Sequence, residues 1–183
     1  MLMRVITGTA RGKRLITLEG NDVRPTSEKV KEAMFSALQF DIEGRRVLDL
    51  FAGSGQLGIE ALSRGAQTAV FVDASPASIK IINQNIENTG FSANSKVIKS
   101  DYASFCAMSR DTFDIVFLDP PYAAGILTNA IKSVLPLLSD YAMIVCEYPP
   151  QVEVPEEVGG FNIYRTYRYG KVLVSIYKKG GNS

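Results

Sequence analysis

The sequence predicts an α/β fold built on a mostly parallel, doubly wound sheet. From residue 46 onward, short apolar segments alternate with amphipathic helical patterns at the spacing of strand–helix units. A chain of 183 residues fits one domain with a small extension. Hydrophobic residues make up 46% of the chain and charged residues 21%, a composition typical of a globular domain with a packed core.

The first 44 residues are predicted to form an extension, separate from a main domain over residues 45–183. Residues 3–18 predict two short strands around Gly8 and Gly12. A helix is predicted over residues 27–39, because its apolar positions recur every three and four residues along one face. Thr26 or Ser27 is the expected cap of this helix.

The main domain is predicted to alternate strands and helices and to end in an antiparallel hairpin around Tyr169-Gly170. Pro136 is expected to kink or end the last helix, because proline lacks the backbone N–H that a helix interior needs. The predicted strands cover residues 46–50, 69–73, 96–100, 113–118 and 142–147, the helices 57–64, 76–88, 102–108 and 124–138, and the hairpin 161–168 and 171–177.

Composition excludes several kinds of chemistry. The chain has no histidine, so Ser-His-Asp triads, Cys-His pairs and histidine zinc motifs are absent. The two cysteines, Cys106 and Cys146, make no disulfide framework and favour a cytoplasmic location. The longest apolar run, residues 141–146, is far shorter than the roughly 20 residues of a membrane helix.

Charge is distributed unevenly along the chain. Residues 1–31 carry a net charge of +4, residues 32–160 one of −8, and residues 161–183 one of +5. Two basic ends suggest a polyanionic partner. The alternative is a charged surface that only keeps the protein in solution.

Four aspartates follow successive predicted strands: Asp49, Asp73, Asp101 and Asp119. In a parallel sheet the carboxyl ends of the strands share one edge, where doubly wound folds bind their ligands. We therefore expect the four carboxylates to line one site. The alternative is that some of them only cap the helices that follow.

A glycine-rich loop, G-x-G-x-x-G over residues 53–58, joins the first of these strands to a helix, and Asp73 follows Gly53 by 20 residues. This spacing is typical of a nucleoside-containing cofactor whose ribose binds the distal acid. It fits both a dinucleotide and S-adenosylmethionine. Asp49, just upstream, favours the second, because a carboxylate repels a pyrophosphate and attracts an ammonium group.

The motif at residues 119–122, Asp-Pro-Pro-Tyr, follows the fourth strand. Its carboxylate can accept a hydrogen bond from an exocyclic amine, and its tyrosine ring can stack on a planar base. A rigid turn between strand and helix is the alternative, but it does not explain the flanking Asp and Tyr.

Three more segments carry family-like motifs. They are Met3-Arg4-Val5-Ile6-x-Gly8 with Arg11-Gly12, Arg24-Pro25-Thr26-Ser27-Glu28-Lys29-Val30-Lys31-Glu32-Ala33-Met34-Phe35, and Gly53-Ser54-Gly55-x-Leu57-Gly58-Ile59-Glu60-Ala61-Leu62-Ser63-Arg64-Gly65-Ala66.

With the Asp-Pro-Pro-Tyr motif and the ending Tyr169-Gly170-Lys171, these segments resemble the RsmD family. That family belongs to the class I S-adenosylmethionine-dependent amino-methyltransferases and methylates the N2 amine of a guanine in 16S ribosomal RNA. The resemblance implies a Rossmann-like sheet, S-adenosylmethionine as cofactor, and 16S rRNA or the 30S particle as partner. A monomer without a metal or membrane association is expected.

The resemblance also implies roles for individual residues. The catalytic set is Asp119, Pro120, Pro121 and Tyr122. The cofactor set is Asp49, Phe51, Gly53, Ser54, Gly55, Asp73, Asp101 and Tyr102. The candidate RNA contacts are Arg4, Arg11, Lys13, Arg14, Arg24, Lys29 and Lys31.

Three positions depart from the family pattern. Gln56 replaces a small residue and is expected to be a surface change, Lys31 replaces a common arginine, and Asp73 stands where Glu is frequent. Other functions stay open at this point: an adenine-N6 methyltransferase acting on RNA or DNA, an NAD-dependent dehydrogenase, or an RNA-binding module without catalysis.

Overall fold

A computed structural model describes residues 3–18, 27–123 and 125–180. The N-terminal extension holds β1 (Met3–Arg4), β2 (Arg14–Leu15) and α1 (Glu28–Ala37). The alternating part holds β3 (Arg46–Asp49), α2 (Gln56–Ser63), β4 (Thr68–Asp73), α3 (Pro76–Thr89), β5 (Ser95–Lys99), α4 (Tyr102–Met108), β6 (Phe113–Leu118), α5 (Ile126–Val134) and β7 (Leu138–Tyr148). The last strands are β8 (Glu157–Val158), β9 (Phe161–Tyr169) and β10 (Val172–Lys179).

The main sheet confirms the predicted fold class. Its order within the described residues is β5-β4-β3-β6-β7-β10-β9-β8. Strands β3 to β7 are parallel, β10 is antiparallel to both β7 and β9, and β9 therefore runs in the same direction as β7. The C-terminal hairpin is thus confirmed, as is the small hairpin of β1 and β2 followed by a helix.

Helix ends follow the local chemistry of the sequence. Ser27 caps α1 by accepting a hydrogen bond from the Val30 N–H at 3.3 Å. Ser75 caps α3 in the same way, with Pro76 in the first turn and Gly90 in the left-handed region at the end. The predicted cap of α1 at Ser27 and the predicted start of α3 at Pro76 are confirmed, whereas α1 ends at Ala37, two residues before the predicted end.

The last predicted helix is shorter than expected. Helix α5 ends at Val134, residues 135–137 form a 3₁₀ turn around Pro136, and Leu138 already begins β7. The prediction that the helix reaches residue 138 is wrong, because Pro136 ends the α-helical hydrogen bonding. Strand β8, which pairs with the start of β9, was not predicted.

The sheet separates two apolar clusters, one on each face. Residues of α1, α2 and α3 pack on one face, and residues of α4 and α5 on the other. Phe35 of α1 lies 5.4 Å from Phe117 of β6, centroid to centroid. The N-terminal extension thus shares a core with the main domain, and the division of the chain at residue 44 stays a prediction.

Two global properties complete the fold. Among the described residues, no helix has the length and apolarity to cross a membrane. Cys106 and Cys146 are both buried and unpaired, and burial raises the pKa of the Cys106 thiol to about 11. Such thiols are poor nucleophiles at neutral pH and act as small apolar core groups.

Candidate active site

A cleft of about 700 Å³ opens at the carboxyl ends of β3, β4, β5 and β6. We call it the strand-end cleft. It lies where the strand order reverses, since β4 and β5 lie on one side of β3 and β6 lies on the other. The predicted site residues that line it are Asp49, Phe51, Gly53, Ser54, Asp73, Asp101, Tyr102, Asp119, Pro120, Pro121 and Tyr122.

Asp73 holds the glycine-rich loop against β4. One carboxylate oxygen accepts a hydrogen bond from the Gly53 N–H at 2.9 Å, and the other accepts one from the Ser75 N–H at 2.9 Å. Gly53 has φ +58°, and a Cβ built there would meet nothing within 4 Å. The loop therefore offers bare backbone to open space in the cleft, which fits a ligand that approaches the main chain closely.

Gly55, predicted to bind the cofactor, forms the turn at the start of α2. Its φ is +80°, it precedes α2, and its N–H donates to the Ala52 carbonyl at 2.7 Å. A Cβ there would point toward Phe71, Ile59 and Ile82 in the core. Gly55 thus lies beneath the loop and outside the lining of the cleft, and its direct contact with the cofactor stays a prediction. It shapes the turn that presents Gly53.

Asp49 is a buried acid at the end of β3. Its carboxylate accepts a hydrogen bond from the Gly58 N–H at 3.0 Å, and 2% of the residue is exposed. Burial raises the pKa of Asp49 to about 7, the hydrogen bond from Gly58 opposes this, and the nearby charge of Asp73 adds to it. A cation that enters the cleft would therefore stabilise the ionised form of Asp49 and be attracted to it.

Asp101 caps α4. Capping was the alternative role predicted for some of the four aspartates that follow the strands. Asp101 accepts a hydrogen bond from the Ser104 N–H at 2.9 Å, and this bond lowers its pKa. It nevertheless lines the cleft. Beside it, the ring of Tyr102 packs on the ring of Phe51 with centroids 5.4 Å apart. Together they give the cleft an apolar wall with a carboxylate at its rim.

The Asp-Pro-Pro-Tyr motif forms the opposite wall. Asp119 is half-buried, Pro120 is buried, and Pro121 and Tyr122 are exposed. Half of the surface of Tyr122 is open to solvent, 50% by relative area. The motif therefore sets an acceptor inside the cleft and an aromatic face at its mouth, the two groups needed to hold a planar base that carries an amine.

Gln56 is a further residue of the cleft that was not predicted as a site residue. The expectation of a surface change is wrong, because Gln56 is 7% exposed and lines the cleft at the start of α2. Its amide oxygen Oε1 is buried and has no hydrogen-bond partner among the residues that the structure describes. A buried acceptor without a partner is unfavourable in the free protein and is available to a ligand. The signal was its position inside the glycine motif, at the first turn of a helix.

The N-terminal extension also reaches the cleft. Met3, Thr17 and Leu18 belong to its lining. Asn85 of α3 fixes this arrangement, because its amide donates to the Ile16 carbonyl at 2.9 Å and to the Ser54 carbonyl at 2.8 Å. Lining residues so far from the glycine motif in sequence carry no local signature that would identify them.

The candidate RNA contacts separate into groups. Arg11, Lys13 and Arg14 are exposed together at the turn between β1 and β2, and Lys29 is exposed on α1. Arg4 is exposed but pairs with Glu28 at 3.2 Å. Arg24 lies outside the described residues.

Lys31 is buried, so the prediction that it contacts RNA is wrong. Its residue is 0% exposed, and its Nζ donates to the Arg4 carbonyl at 2.7 Å and lies 3.7 Å from the carboxylate of Glu60. Burial lowers the pKa of Lys31, and the charge of Glu60 opposes that change. The motif lysine joins α1 to the hairpin instead of facing a partner.

Glu60 is the centre of this buried arrangement, which we call the Glu60 network (Lys31, Glu60 and Arg64). Its two carboxylate oxygens accept hydrogen bonds from the N–H groups of Ile6 and Thr7, at 2.8 and 3.0 Å. Arg64 also donates to it at 2.9 Å. The network ties the β1–β2 hairpin and α1 to α2, whose first turn borders the cleft.

Gly8 explains why the hairpin fits so closely against α2. A Cβ there would come within 1.7 Å of the Ser63 carbonyl oxygen, and its φ is +89°. Ser63 accepts a hydrogen bond from the Ala10 N–H at 3.0 Å and donates one to the Thr7 carbonyl at 2.6 Å. Glycine is therefore required at this position by both space and backbone conformation.

The strand order and the position of the cleft are those of the class I methyltransferase fold. A solved RNA methyltransferase from Salinibacter ruber, in complex with S-adenosyl-L-homocysteine, shares the fold with a TM-score of 0.70 at 16% identity and covers 87% of this chain and 96% of that one. Within the class, the chain belongs to the RsmD family, because the family model described as Conserved hypothetical protein 95 matches residues 3–178.

Individual relatives span the whole chain. YlbH of Bacillus subtilis (strain 168) is 40% identical over 98% of this chain and 100% of its own length. Ribosomal RNA small subunit methyltransferase D of Escherichia coli (strain K12) is 32% identical, over 97% and 90%. The solved structure of yhhF from Escherichia coli has a TM-score of 0.85 at 32% identity and covers 100% of both chains.

Proposed function

We propose that the protein transfers a methyl group from S-adenosylmethionine to the N2 amine of a guanine in 16S rRNA, in the cytoplasm. The observation that carries this proposal is the placement of Asp119 and Tyr122 in one cleft with Asp49, Asp73 and the bare backbone of Gly53. The small-subunit rRNA methyltransferase among the full-length relatives supports rRNA as the substrate.

The residues of the cleft fit the cofactor. Asp49 would pair with its ammonium group, Asp73 would accept from the ribose hydroxyls, and Asp101 would accept from the adenine amine beside Tyr102 and Phe51. The carboxylates suit a ligand whose polar groups are donors and cations. When bound, S-adenosylmethionine supplies a methyl group made electrophilic by its sulfonium.

Asp119 activates the amine. The lone pair of the guanine N2 is delocalised into the ring, so the amine is a weak nucleophile. A hydrogen bond to the Asp119 carboxylate orients the nitrogen and stabilises the positive charge that develops on it. The same carboxylate can hold the proton that the nitrogen loses, so no histidine is required. Tyr122 holds the plane of the base by stacking.

RNA would reach the cleft along the extension. The target guanine must be unpaired or flipped out of its stack to enter. The exposed basic turn with Arg11, Lys13 and Arg14 lies beside Ser63, at the end of α2 away from the cleft. Seven residues of helix separate Gln56 from Ser63, which is about 10 Å. We expect this turn to bind phosphates flanking the target.

The test is methyl transfer from labelled S-adenosylmethionine to 30S particles that lack the modification, followed by mass spectrometry of the nucleosides. N2-methylguanosine is the expected product. If the product is N6-methyladenosine instead, the target base is adenine, and the class of reaction, methyl transfer to an exocyclic amine, is unchanged. Tyr122→Phe should keep most of the activity, and Tyr122→Ala should lose it, because only the first retains a stacking face.

A further inference from the structure

The C-terminal hairpin carries a second surface that suits RNA. We propose that bases flanking the target stack on this surface while its cations bind the adjoining phosphates; the proposal rests on the proposed function. The surface, here called the tyrosine–arginine cluster, consists of Tyr164, Arg165, Tyr167, Tyr169 and Lys178.

Aromatic rings and cations alternate in the cluster. The guanidinium of Arg165 lies 6.0 Å from the ring centroid of Tyr164 and 5.9 Å from that of Tyr167. The Nζ of Lys178 lies 4.4 Å from the Tyr164 ring. The rings of Tyr167 and Tyr169 are nearly parallel, at 10°, with centroids 6.2 Å apart. Aromatic faces beside cations are the recurring means of binding single-stranded nucleic acid.

A bulge in β9 creates this surface. Ile163 pairs with Tyr177 and Arg165 with Ile176, which leaves Tyr164 as the extra residue. Before the bulge, Ile163 packs with the cluster of apolar residues under α4 and α5. After it, Tyr167 and Tyr169 pack on the other face of the sheet, the face that carries the N-terminal extension.

Exposure and charge favour an anionic partner. Tyr164 is 62% exposed, far more than a tyrosine placed only for packing requires. Residues 161–183 contain five basic and no acidic side chains. Lys179 is neutralised by Asp140 at 3.0 Å and is left out of the cluster. Lys171, exposed at the hairpin turn that follows Tyr169, adds a further cation at this end of the cluster.

The cluster and the cleft can contact one RNA segment. Strand β9 runs in the same direction as β6, so Tyr169 lies at the same sheet edge as Asp119. Strands β7 and β10 lie between them, and three strand spacings amount to about 14 Å. The described part of the N-terminal extension and the tyrosine–arginine cluster thus lie on the same face of the sheet, with the cleft at its edge.

The experiment compares two cluster variants with matched controls. The variants are Tyr164→Ala and Arg165→Glu. The controls are Tyr141→Ala, an 84% exposed tyrosine near the start of β7, and Lys132→Glu on α5, on the opposite face. The probes are protein-free 16S rRNA and 30S particles that lack the methyl group. Calorimetry with S-adenosylhomocysteine verifies that each variant retains a folded cofactor site.

Tyr164→Ala should weaken binding to both probes by about 5- to 150-fold, the effect of losing one stacked base. Arg165→Glu should also lower the slope of log affinity against log salt by about one phosphate contact. Both variants should raise KM for RNA and leave kcat unchanged, because the cluster binds the RNA equally before and during methyl transfer. The controls should behave like the parent.

Parental KM and salt slope in both cluster variants would overturn the proposal while the proposed function stands. Loss of binding to 30S particles alone, with parental binding to protein-free rRNA, would also overturn it and assign the surface to a ribosomal protein. If the parent neither binds nor methylates either probe, the proposed function fails, and the cluster as an RNA surface fails with it.

Discussion

The strand-end cleft and the Glu60 network use the same kinds of side chain in opposite ways. In the network, the carboxylate of Glu60 is fully buried and is paired with Arg64, Lys31 and two backbone N–H groups. In the cleft, Asp49 accepts a bond from Gly58 but keeps a strongly raised pKa of about 7. The paired charges of the Glu60 network hold the extension in place, whereas the charge of Asp49 is only partly balanced and is available to a ligand.

A charged residue within a family-like motif therefore does not necessarily contact the substrate. Lys31 and Glu60 stand in motif segments as prominent as the one that contains Asp49. Their burial separates them from solvent, so their effect on function passes through the position of the hairpin and of α2. Changes in the network should therefore alter stability first, and changes in the cleft should alter binding or turnover first.

The largest expected effect is on stability. Glu60→Ala should lower the free energy of unfolding by about 3–5 kcal/mol, because it leaves the buried ammonium of Lys31 without its counter-charge and the N–H groups of Ile6 and Thr7 without their acceptor. Urea unfolding measures this. Glu87→Ala removes an exposed glutamate of α3 and serves as the control. Glu60→Gln keeps the shape and should lie between the two; a parental unfolding midpoint for Glu60→Ala would refute the role of the network.

Asp119→Ala should reduce single-turnover methyl transfer about 100-fold. This corresponds to roughly 3 kcal/mol of charge stabilisation that is present in the transition state and absent in the ground state. Affinity for S-adenosylhomocysteine should change little, because the carboxylate serves the base. Asp111→Ala, at an exposed position away from the cleft, is the control. Transfer at the parental rate would disprove the assigned chemistry.

Asp73→Ala should weaken S-adenosylhomocysteine binding by about 1.5–3 kcal/mol, the range for hydrogen bonds to a charged group. The loss has two sources, since Asp73 also holds the Gly53 and Ser75 N–H groups. Asp73→Glu, the residue frequent in the family, should retain most of the affinity. Calorimetry provides the comparison. NAD should not bind the parent, and tight NAD binding would contradict the cofactor assignment.

The affinity for S-adenosylhomocysteine should depend on pH through Asp49. Its pKa of about 7 means that the carboxyl is mostly protonated and neutral below pH 7 and ionised above it. The ammonium group of the ligand requires the ionised form, so affinity should rise about tenfold from pH 6 to pH 8. Methylthioadenosine, which lacks the ammonium group, is the control and should bind equally at both pH values. If the affinities of the two ligands depend on pH in the same way, Asp49 does not bind the ammonium group.

The smallest effect is expected at Gln56. Gln56→Leu should weaken S-adenosylhomocysteine binding about 3- to 10-fold, the contribution of one hydrogen bond. The same change should leave the unliganded protein as stable as the parent or more so, because it removes a buried acceptor that has no partner within residues 3–18, 27–123 and 125–180. Methylthioadenosine again serves as the control. Reduced stability with unchanged affinity would show that the amide serves packing alone.

The fold class and most of the cleft could be predicted from local signals in the sequence. Strand–helix alternation, Ser75 and Gly90 at the ends of α3, and the spacing from Gly53 to Asp73 are local signals, since periodicity, caps and turns act within a few residues or one strand–helix unit. Those signals were sufficient to place four aspartates at one edge, because the direction of parallel strands fixes where their ends meet.

Which charged residues face solvent depends on tertiary contacts that could not be predicted from the sequence. Lys31 and Lys29 are two residues apart on the same helix, yet one is buried against Glu60 and the other is exposed. Gln56 is buried at the first turn of α2, where the N-terminal extension completes the lining of the cleft, and the bulge at Tyr164 turns Tyr167 and Tyr169 to the opposite face. Burial of a side chain depends on contacts between segments distant in sequence, and such contacts leave no local pattern to detect.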